Sequence, residues 1–159
     1  MSPLSRRRLL ALGAALPLAA ALRPAAAAER PLVTVWKDPW CGCCTAWAEH
    51  LEAAGFPVRL IESSDVAGRR ALLGVPAGLA GCHTAEVAGY AVEGHVPAEA
   101  VDKLLAERPA VAGLAVPGMP IGSPGMPSDQ PQTYDVLAFG RAGGVERFMR
   151  FRGPERIAG

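Results

Sequence analysis

The chain has almost no excess of positive charge, and this shortage limits its possible partners. Sixteen basic residues stand against 15 acidic ones, for a net charge of +1. Four of the arginines lie in residues 1–28, and without that segment 12 basic and 15 acidic residues remain, a net charge of −3. Nucleic-acid binding depends on a basic surface, so the composition argues against it.

The sequence also lacks an apolar run long enough to predict a membrane span. A run of fourteen mostly apolar residues extends from Leu9 to Leu22 and is interrupted by Pro17, whereas a spanning helix needs about 20. An arginine cluster precedes the run and an Ala-x-Ala site ends at Ala28, which together predict a cleaved export signal in residues 1–28. Residues 5–10 also resemble a twin-arginine signal, so two export routes stay open. The expected location is the periplasm, with no membrane span in the mature chain.

Cysteine is scarce but concentrated. Three of the four cysteines lie in Cys41-Gly42-Cys43-Cys44, and the fourth is Cys82. Thiols outside the cytoplasm meet an oxidising compartment, so four reduced cysteines need protection by a metal or a reductant. The even count also permits two structural disulfides, although a disulfide between the adjacent Cys43 and Cys44 would be strained.

The pattern of apolar and turn residues predicts one α/β domain over residues 31–152. Predicted strands cover residues 31–36, 56–61, 85–87 and 90–93, and predicted helices cover residues 45–54, about 63–73 and 98–107. The strand–helix–strand opening favours parallel strands. The element order β-α-β-α-β-β-α is that of the thioredoxin fold, so we expect a thioredoxin-like domain with a mixed central sheet.

The last third of the chain has a different composition. Residues 116–127 are rich in proline, glycine and methionine and predict a stiff, irregular loop. Residues 133–139 and 145–151 alternate around Gly143-Gly144 and predict a β-hairpin. Residues 153–159 are expected to form a flexible tail.

The cysteine motif is expected at the turn between the first strand and the first helix. Free backbone N–H groups and the helix dipole would stabilise a thiolate at Cys41, which favours redox attack and metal ligation equally. Cys43 discriminates between them, because a third thiol between an attacking Cys41 and a resolving Cys44 would scramble the pair. In a metal site, three sulfurs in one turn can converge. Cys82 is expected to face them from the segment that enters the third strand.

Soft sulfur ligands select Cu(I) over harder ions. Met119 and Met126 each lie in a Pro-Gly-Met-Pro turn and are candidate ligands that cover the cysteines, with plain hydrophobic packing as the alternative. His83 is a candidate ligand, or a hydrogen-bond donor to one. Zinc competes for four cysteines, but structural zinc sites usually use two Cys-x-x-Cys-like knuckles. His50 is expected at the surface, and His95 is expected to cap or brace a helix unless it has a functional role.

Several separated motifs support a family resemblance. Trp40-Cys41-Gly42-x-Cys44 resembles the thioredoxin signature, with Cys43 in place of its proline. The other motifs are Cys41-Gly42-Cys43-Cys44, Gly81-Cys82-His83-Thr84-Ala85, Glu93-Gly94-His95-Val96-Pro97, Pro117-Gly118-Met119-Pro120 and Gly122-Ser123-Pro124-Gly125-Met126. Together they resemble the CopG-type copper-resistance proteins, the domain-of-unknown-function 411 family, over about residues 31–152.

The resemblance implies a thioredoxin-like periplasmic protein whose cysteines hold a multinuclear copper–thiolate cluster. It implies a role in copper resistance, with interconversion of Cu(I) and Cu(II), and other periplasmic copper-handling proteins as partners. The predicted metal ligands are therefore Cys41, Cys43, Cys44 and Cys82, with His83, Met119 and Met126 as additional candidates.

Two other functions remain open at this point. A thiol–disulfide oxidoreductase would use Cys41 and Cys44 as its catalytic pair. A disulfide-stapled structural module would have two bridges and no metal. We expect a metal-binding protein rather than an enzyme; an enzyme here would be a copper or thiol oxidoreductase.

Overall fold

A computed structural model describes residues 29–158, so the export signal predicted in residues 1–28 lies outside the described residues. The α-helices are α1 Gly42–Ala53, α2 Val66–Leu72 and α3 Ala98–Glu107. The strands are β1 Val33–Lys37, β2 Val58–Glu62, β3 His83–Val87, β4 Tyr90–Glu93, β5 Gly113–Ala115, β6 Thr133–Phe139, β7 Val145–Arg152 and β8 Glu155–Ile157. Within residues 29–158, every helix is too short or too polar to cross a bilayer.

All eight strands form one mixed sheet, in the order β2-β1-β3-β4-β5-β6-β7-β8. β1 pairs in parallel with β2 and antiparallel with β3. The α/β class, the mixed sheet and the parallel opening are therefore confirmed. The predicted hairpin is also present, as the antiparallel pair β6 and β7.

The helices pack on the sheet through apolar residues at helical spacing. Trp47 and Leu51 of α1 are fully buried, as are Val101 and Leu104 of α3, and all four belong to one core cluster. Full burial of such a side chain contributes about 1.5–3 kcal/mol of transfer free energy. This packing fixes α1, and with it the cysteines, against the sheet.

Helix α1 begins three residues earlier than the sequence predicted. The predicted start was Thr45, whereas the helix begins at Gly42 and Cys41 is its N-cap. Cys43 and Cys44 therefore lie in the first helical turn rather than in a preceding loop. Gly55, with φ +88°, follows the end of the helix as expected, because a left-handed residue there needs no Cβ.

Two short strands were not predicted. β5 lies between β4 and β6, and a Cβ at Gly113 would come within 2.1 Å of the Ala91 carbonyl oxygen. A glycine permits that close approach. The strand was missed because its sequence, Gly-Leu-Ala, has no β-branched residue to identify it. β8 pairs with β7, so residues 153–159, expected as a flexible tail, contain an edge strand.

Residues 116–127, called the Met loop below, contain neither a helix nor a named strand, as predicted. One end of the loop joins the rest of the domain through a bridge between Gly118 and Gly81, the residue before Cys82. Near the other end, a Cβ at Gly125 would lie 2.5 Å from the Cys43 carbonyl oxygen. The Met loop therefore packs against both cysteine-bearing segments.

Candidate metal centre

The four cysteines meet at the N-terminus of α1. The ligand atoms of Cys41, Cys43, Cys44 and Cys82 all lie within 4.8 Å of one another. The Cys43 sulfur is 3.4 Å from the Cys41 sulfur and 3.4 Å from the Cys82 sulfur. Cys43 is therefore the central sulfur of the group, and Cys82 faces it from the start of β3.

Two of the four sulfurs are joined in the structure. Cys41 and Cys44 form a disulfide, while Cys43 and Cys82 are free thiols. Cys44 is fully buried, and its sulfur lies 3.7 Å from the Cys82 carbonyl oxygen. That approach is a contact rather than a hydrogen bond, because a disulfide sulfur has no proton to donate. Two structural bridges, as a stapled module would need, are not formed among the described residues.

A buried ion pair holds the peptide that precedes Cys82. Glu93 is fully buried, and its Oε1 accepts hydrogen bonds from Arg70 Nε at 2.7 Å and from Gly81 N–H at 2.7 Å. Arg70 also donates to the Gly81 carbonyl oxygen at 3.0 Å. Both polar groups of Gly81 are thus fixed, which sets the direction in which Cys82 leaves the backbone. Burial raises the pKa of Glu93, while Arg70 and the Gly81 N–H oppose that rise.

Two glycines bring Cys82 and His95 together. A Cβ at Gly81 would lie 2.6 Å from the Gly94 Cα, so the two backbones cross in contact. The residues that follow these glycines then become neighbours, and His95 Nε2 lies 3.1 Å from the Cys82 sulfur. The other ring nitrogen, Nδ1, lies 3.0 Å from the Ser123 hydroxyl.

The Cys82 thiol keeps its proton in the metal-free protein. Burial, together with the hydrogen bond and the charge of Cys43, raises the pKa of Cys82 to about 12. Burial also lowers the pKa of His95, which keeps its ring neutral at pH 7. A metal ion that binds Cys82 must therefore displace a proton.

His83 lies directly behind the cysteines. Its ring is fully buried, neither ring nitrogen has a hydrogen-bond partner, and its centroid is 4.2 Å from that of Trp47 and 5.5 Å from that of His95. Burial lowers the pKa of His83 to about 3, with a smaller contribution from His95. Cys82, His83 and His95 each offer a ligand atom within 4.8 Å of the others. An unpaired buried imidazole costs free energy unless something binds it, which fits a ligand role.

His50 does not lie free on the surface, and that expectation is wrong. It is half-buried, and its Nε2 accepts a hydrogen bond from the Ala98 N–H at 3.0 Å. His50 thus satisfies a free backbone donor at the start of α3, while burial lowers its pKa. The sequence could not show this contact, since the two residues are 48 positions apart.

The two loop methionines lie beside the cysteines through their backbones. Met119 follows Gly118, which is bridged to Gly81, and its side chain is 55% exposed. Met126 follows Gly125, which packs on the Cys43 carbonyl, and it is half-buried. Met119 is therefore open to solvent and Met126 is the more enclosed of the two.

Sequence reasoning missed Arg70, Glu93 and Ser123, and it left the role of His95 undecided. Arg70 had no signal, because nothing in the sequence of its short helix indicates that the side chain reaches Gly81 and Glu93. Glu93 and His95 stand in one Glu-Gly-His motif, and Ser123 stands in a Gly-Ser-Pro-Gly motif. Glycines beside polar residues are the signal that could have indicated close backbone crossings at a site.

Comparisons with known proteins identify relatives of this chain. A family model described as "Protein of unknown function, DUF411" matches residues 79–126, which include Cys82, His95 and Ser123. The solved structure "Copper resistance protein copG- Form 2" is 42% identical, with a TM-score of 0.74, over 77% of this chain and 99% of that chain. "Copper resistance protein copG- Form 1" has the same identity and TM-score, over 79% of this chain and 100% of that chain. No curated protein sequence matches.

The similarity extends over 99–100% of both solved structures, and at 42% identity it shows membership of the same family. Both of these structures are described as copper-resistance proteins. The chain belongs to the DUF411 family of CopG-type copper-resistance proteins.

Proposed function

We propose that this chain is a periplasmic copper-binding protein that holds Cu(I) in a thiolate cluster and contributes to copper resistance. The observation that carries the proposal is the convergence of Cys41, Cys43, Cys44 and Cys82, whose sulfurs lie within 4.8 Å of one another. Thiolates are the soft ligands that Cu(I) prefers. Sulfurs this close can bridge neighbouring ions, which supports a multinuclear cluster.

The thioredoxin-like fold is part of this proposal. The order β1-α1-β2-α2-β3-β4-α3 supports it, and so does the position of the cysteine motif, which follows β1 and forms the N-cap and first turn of α1. The helix dipole and free N–H groups at the start of α1 stabilise thiolates at this position. The start of α1 therefore favours negatively charged ligands, which suit a cation.

We assign the metal ligands in two groups. The four cysteines are the main ligands, and His83 is an additional candidate because its buried ring nitrogens have no protein partner. Met126 and Met119 are further candidates on the Met loop, whose backbone contacts both cysteine segments. Other periplasmic copper-handling proteins are the proposed partners.

The disulfide supports the proposed interconversion of Cu(I) and Cu(II). Oxidation of the Cys41 and Cys44 thiols to the disulfide releases two electrons and two protons. Two Cu(II) ions take up those electrons and become two Cu(I) ions. Cys43 and Cys82 remain reduced and 3.4 Å apart, so in this oxidised state they offer soft ligands to the Cu(I) that forms, whereas the four-cysteine site requires the reduced Cys41–Cys44 pair.

The same disulfide favours a second function, thiol–disulfide exchange by Cys41 and Cys44. Cys43 separates the two functions. In the fully reduced protein, Cys43→Ser removes the central sulfur of the copper site but leaves the Cys41–Cys44 pair. We expect the variant to bind fewer Cu(I) ions per chain than the wild type in anaerobic titrations against a Cu(I) chelator.

The control is insulin reduction with a dithiol. An oxidoreductase would reduce insulin, and Cys43→Ser would keep that activity. Wild-type protein that reduces insulin and takes up no Cu(I) would overturn the copper proposal in favour of the exchange enzyme. Wild-type protein that binds Cu(I) and leaves insulin intact excludes the exchange enzyme.

A further inference from the structure

His95 is enclosed between the cysteines and the Met loop. The residue is fully buried, with Nε2 3.1 Å from the Cys82 sulfur and Nδ1 3.0 Å from the Ser123 hydroxyl. Ser123 is itself 1% exposed. The ring therefore has one nitrogen facing the metal centre and the other facing a buried serine.

The hydrogen bonds of Ser123 fix which nitrogen of His95 carries the proton. The Ser123 hydroxyl also lies 2.7 Å from the Pro120 carbonyl oxygen, which can only accept. A hydroxyl has a single proton, so Ser123 donates it to Pro120 and must accept from His95. Nδ1 is then the protonated nitrogen of the neutral ring, and Nε2 directs its lone pair at Cys82.

The alternative tautomer would make the site worse for a cation. An Nε2–H group would direct a proton at the Cys82 sulfur and block the ring as a ligand. It would also leave the buried Ser123 oxygen without its hydrogen-bond donor, which is unfavourable for a buried polar group. The buried ring, adjacent to His83, has little room to turn over.

We propose that Ser123 is a positioning residue that sets the tautomer of His95 and so presents His95 Nε2 as a nitrogen ligand to an ion held by Cys82. The inference rests on the proposed copper-binding function. It assigns a role to the serine of the Gly-Ser-Pro-Gly motif, because that side chain connects the Met loop to the metal centre. Metal-binding histidines generally donate their second N–H to a carboxylate, a backbone carbonyl or water, and loss of that partner weakens metal binding about 10–100-fold. Here the Ser123 hydroxyl accepts that hydrogen bond.

The tautomer can be measured without any metal. Long-range ¹H–¹⁵N spectra of the reduced, metal-free protein distinguish a protonated ring nitrogen from an unprotonated one. We expect Nδ1–H and a bare Nε2 for His95 in the wild type. We expect Ser123→Ala to move the ring toward the Nε2–H form, and Ser123→Thr, which keeps a hydroxyl, to retain the wild-type form.

The matched control is Ser128→Ala. Ser128 is an exposed serine just beyond the Met loop, and its hydroxyl accepts a hydrogen bond only from the Gln130 N–H among the described contacts. We expect Ser123→Ala to weaken Cu(I) binding about 10–100-fold in a chelator competition. Ser128→Ala should leave both the tautomer and the Cu(I) affinity unchanged.

An Nε2–H tautomer in the wild type would overturn the inference, and so would a folded Ser123→Ala protein with wild-type tautomer and Cu(I) affinity. Backbone amide spectra establish whether Ser123→Ala folds; if it does not, the wild-type tautomer and the Ser123→Thr affinity decide. A wild type with the Nδ1–H tautomer that takes up no Cu(I) overturns the proposed function and the ligand role together. A wild type that binds Cu(I) with the Nε2–H tautomer overturns only the inference.

Discussion

His83 shows how much a single residue depends on its surroundings at this site. It stands next to Cys82, so the sequence identified it as a candidate ligand. The sequence could not indicate that the ring is fully buried, contacts Trp47 and has no partner for either nitrogen. Those properties follow from the packing of α1 on β3, which no local pattern encodes.

The burial of His83 predicts a pH dependence of stability. Its pKa falls to about 3 in the folded protein, against 6.5 for an unperturbed histidine. The unfolded chain therefore binds a proton first, and the free energy of unfolding falls as the pH drops from about 6.5 toward 3. The expected slope is about 1.4 kcal/mol per pH unit.

Urea unfolding of the reduced, metal-free protein at several pH values measures this slope. His50 and His95 also have lowered pKa values and add to the slope with the same sign. We therefore expect His83→Leu, which cannot be protonated, to reduce the slope without abolishing it. An unchanged slope in that variant would contradict the assignment.

At the scale of elements, the sequence predicted most helices and strands but placed the start of α1, which carries three of the cysteines, three residues too late, and it missed β5. Glycine near the end of a helix and alternation around Gly143-Gly144 gave correct signals for α1 and for the hairpin β6–β7. The start of α1 was missed because Gly42, Cys43 and Cys44 are not strong helix formers. β5 was missed because its pairing depends on a bare backbone at Gly113.

The contact between the Met loop and α1 makes a testable element-scale prediction. Gly125 has φ +88°, and an added Cβ would lie 2.5 Å from the Cys43 carbonyl oxygen and 3.0 Å from the Trp47 backbone nitrogen. Gly125→Ala must therefore displace the loop or the first turn of α1. We expect a loss of about 2–4 kcal/mol in stability, from left-handed strain plus overpacking, and weaker Cu(I) binding.

Gly143→Ala is the matched control, since Gly143 has φ +92° and open space around its Cβ position. It carries the same backbone strain, about 1–2 kcal/mol, without the clash. Denaturant unfolding and Cu(I) competition on both variants test the contact. Equal effects of the two substitutions would show that the loop does not support the site.

Arg70 and Glu93 both form hydrogen bonds with Gly81, and this group of contacts is called the clamp below. The clamp gives a second prediction at the scale of elements. Arg70→Met removes the partner of the fully buried Glu93, and breaking a buried pair costs about 3–5 kcal/mol. Glu93 already has a raised pKa, and without Arg70 its neutral form is favoured further. The cost of Arg70→Met relative to the wild type should therefore be smallest at low pH, where Glu93 holds a proton, and should grow as the pH rises.

Glu107→Gln serves as the control, because it breaks the more exposed Lys103–Glu107 pair within α3 but leaves Lys103 over the Phe148 ring. Such a pair is worth at most about 0.5 kcal/mol. Unfolding free energies from pH 4 to pH 8 distinguish the two pairs. A cost for Arg70→Met that is as small and as pH-independent as that of Glu107→Gln would show that the clamp does not stabilise the fold.

At the scale of the whole molecule, the order of elements in residues 33–107 followed from apolar periodicity and turn residues. The extension of the sheet through β5 to β8 did not, because short strands are defined by their neighbours rather than by their own sequence. The convergence of the cysteines was predicted better than the contacts that support it. Clustered cysteines are visible in the sequence, whereas Arg70, Glu93 and Ser123 act through contacts between distant segments.

The central claim is that the whole chain holds Cu(I) through four cysteines, and metal content tests it most directly. The measurement is the metal identity and the number of ions per chain in protein purified anaerobically after growth with added copper. The account predicts more than one Cu(I) per chain of fully reduced protein. One tightly held zinc ion per chain, with no uptake of copper, would contradict it.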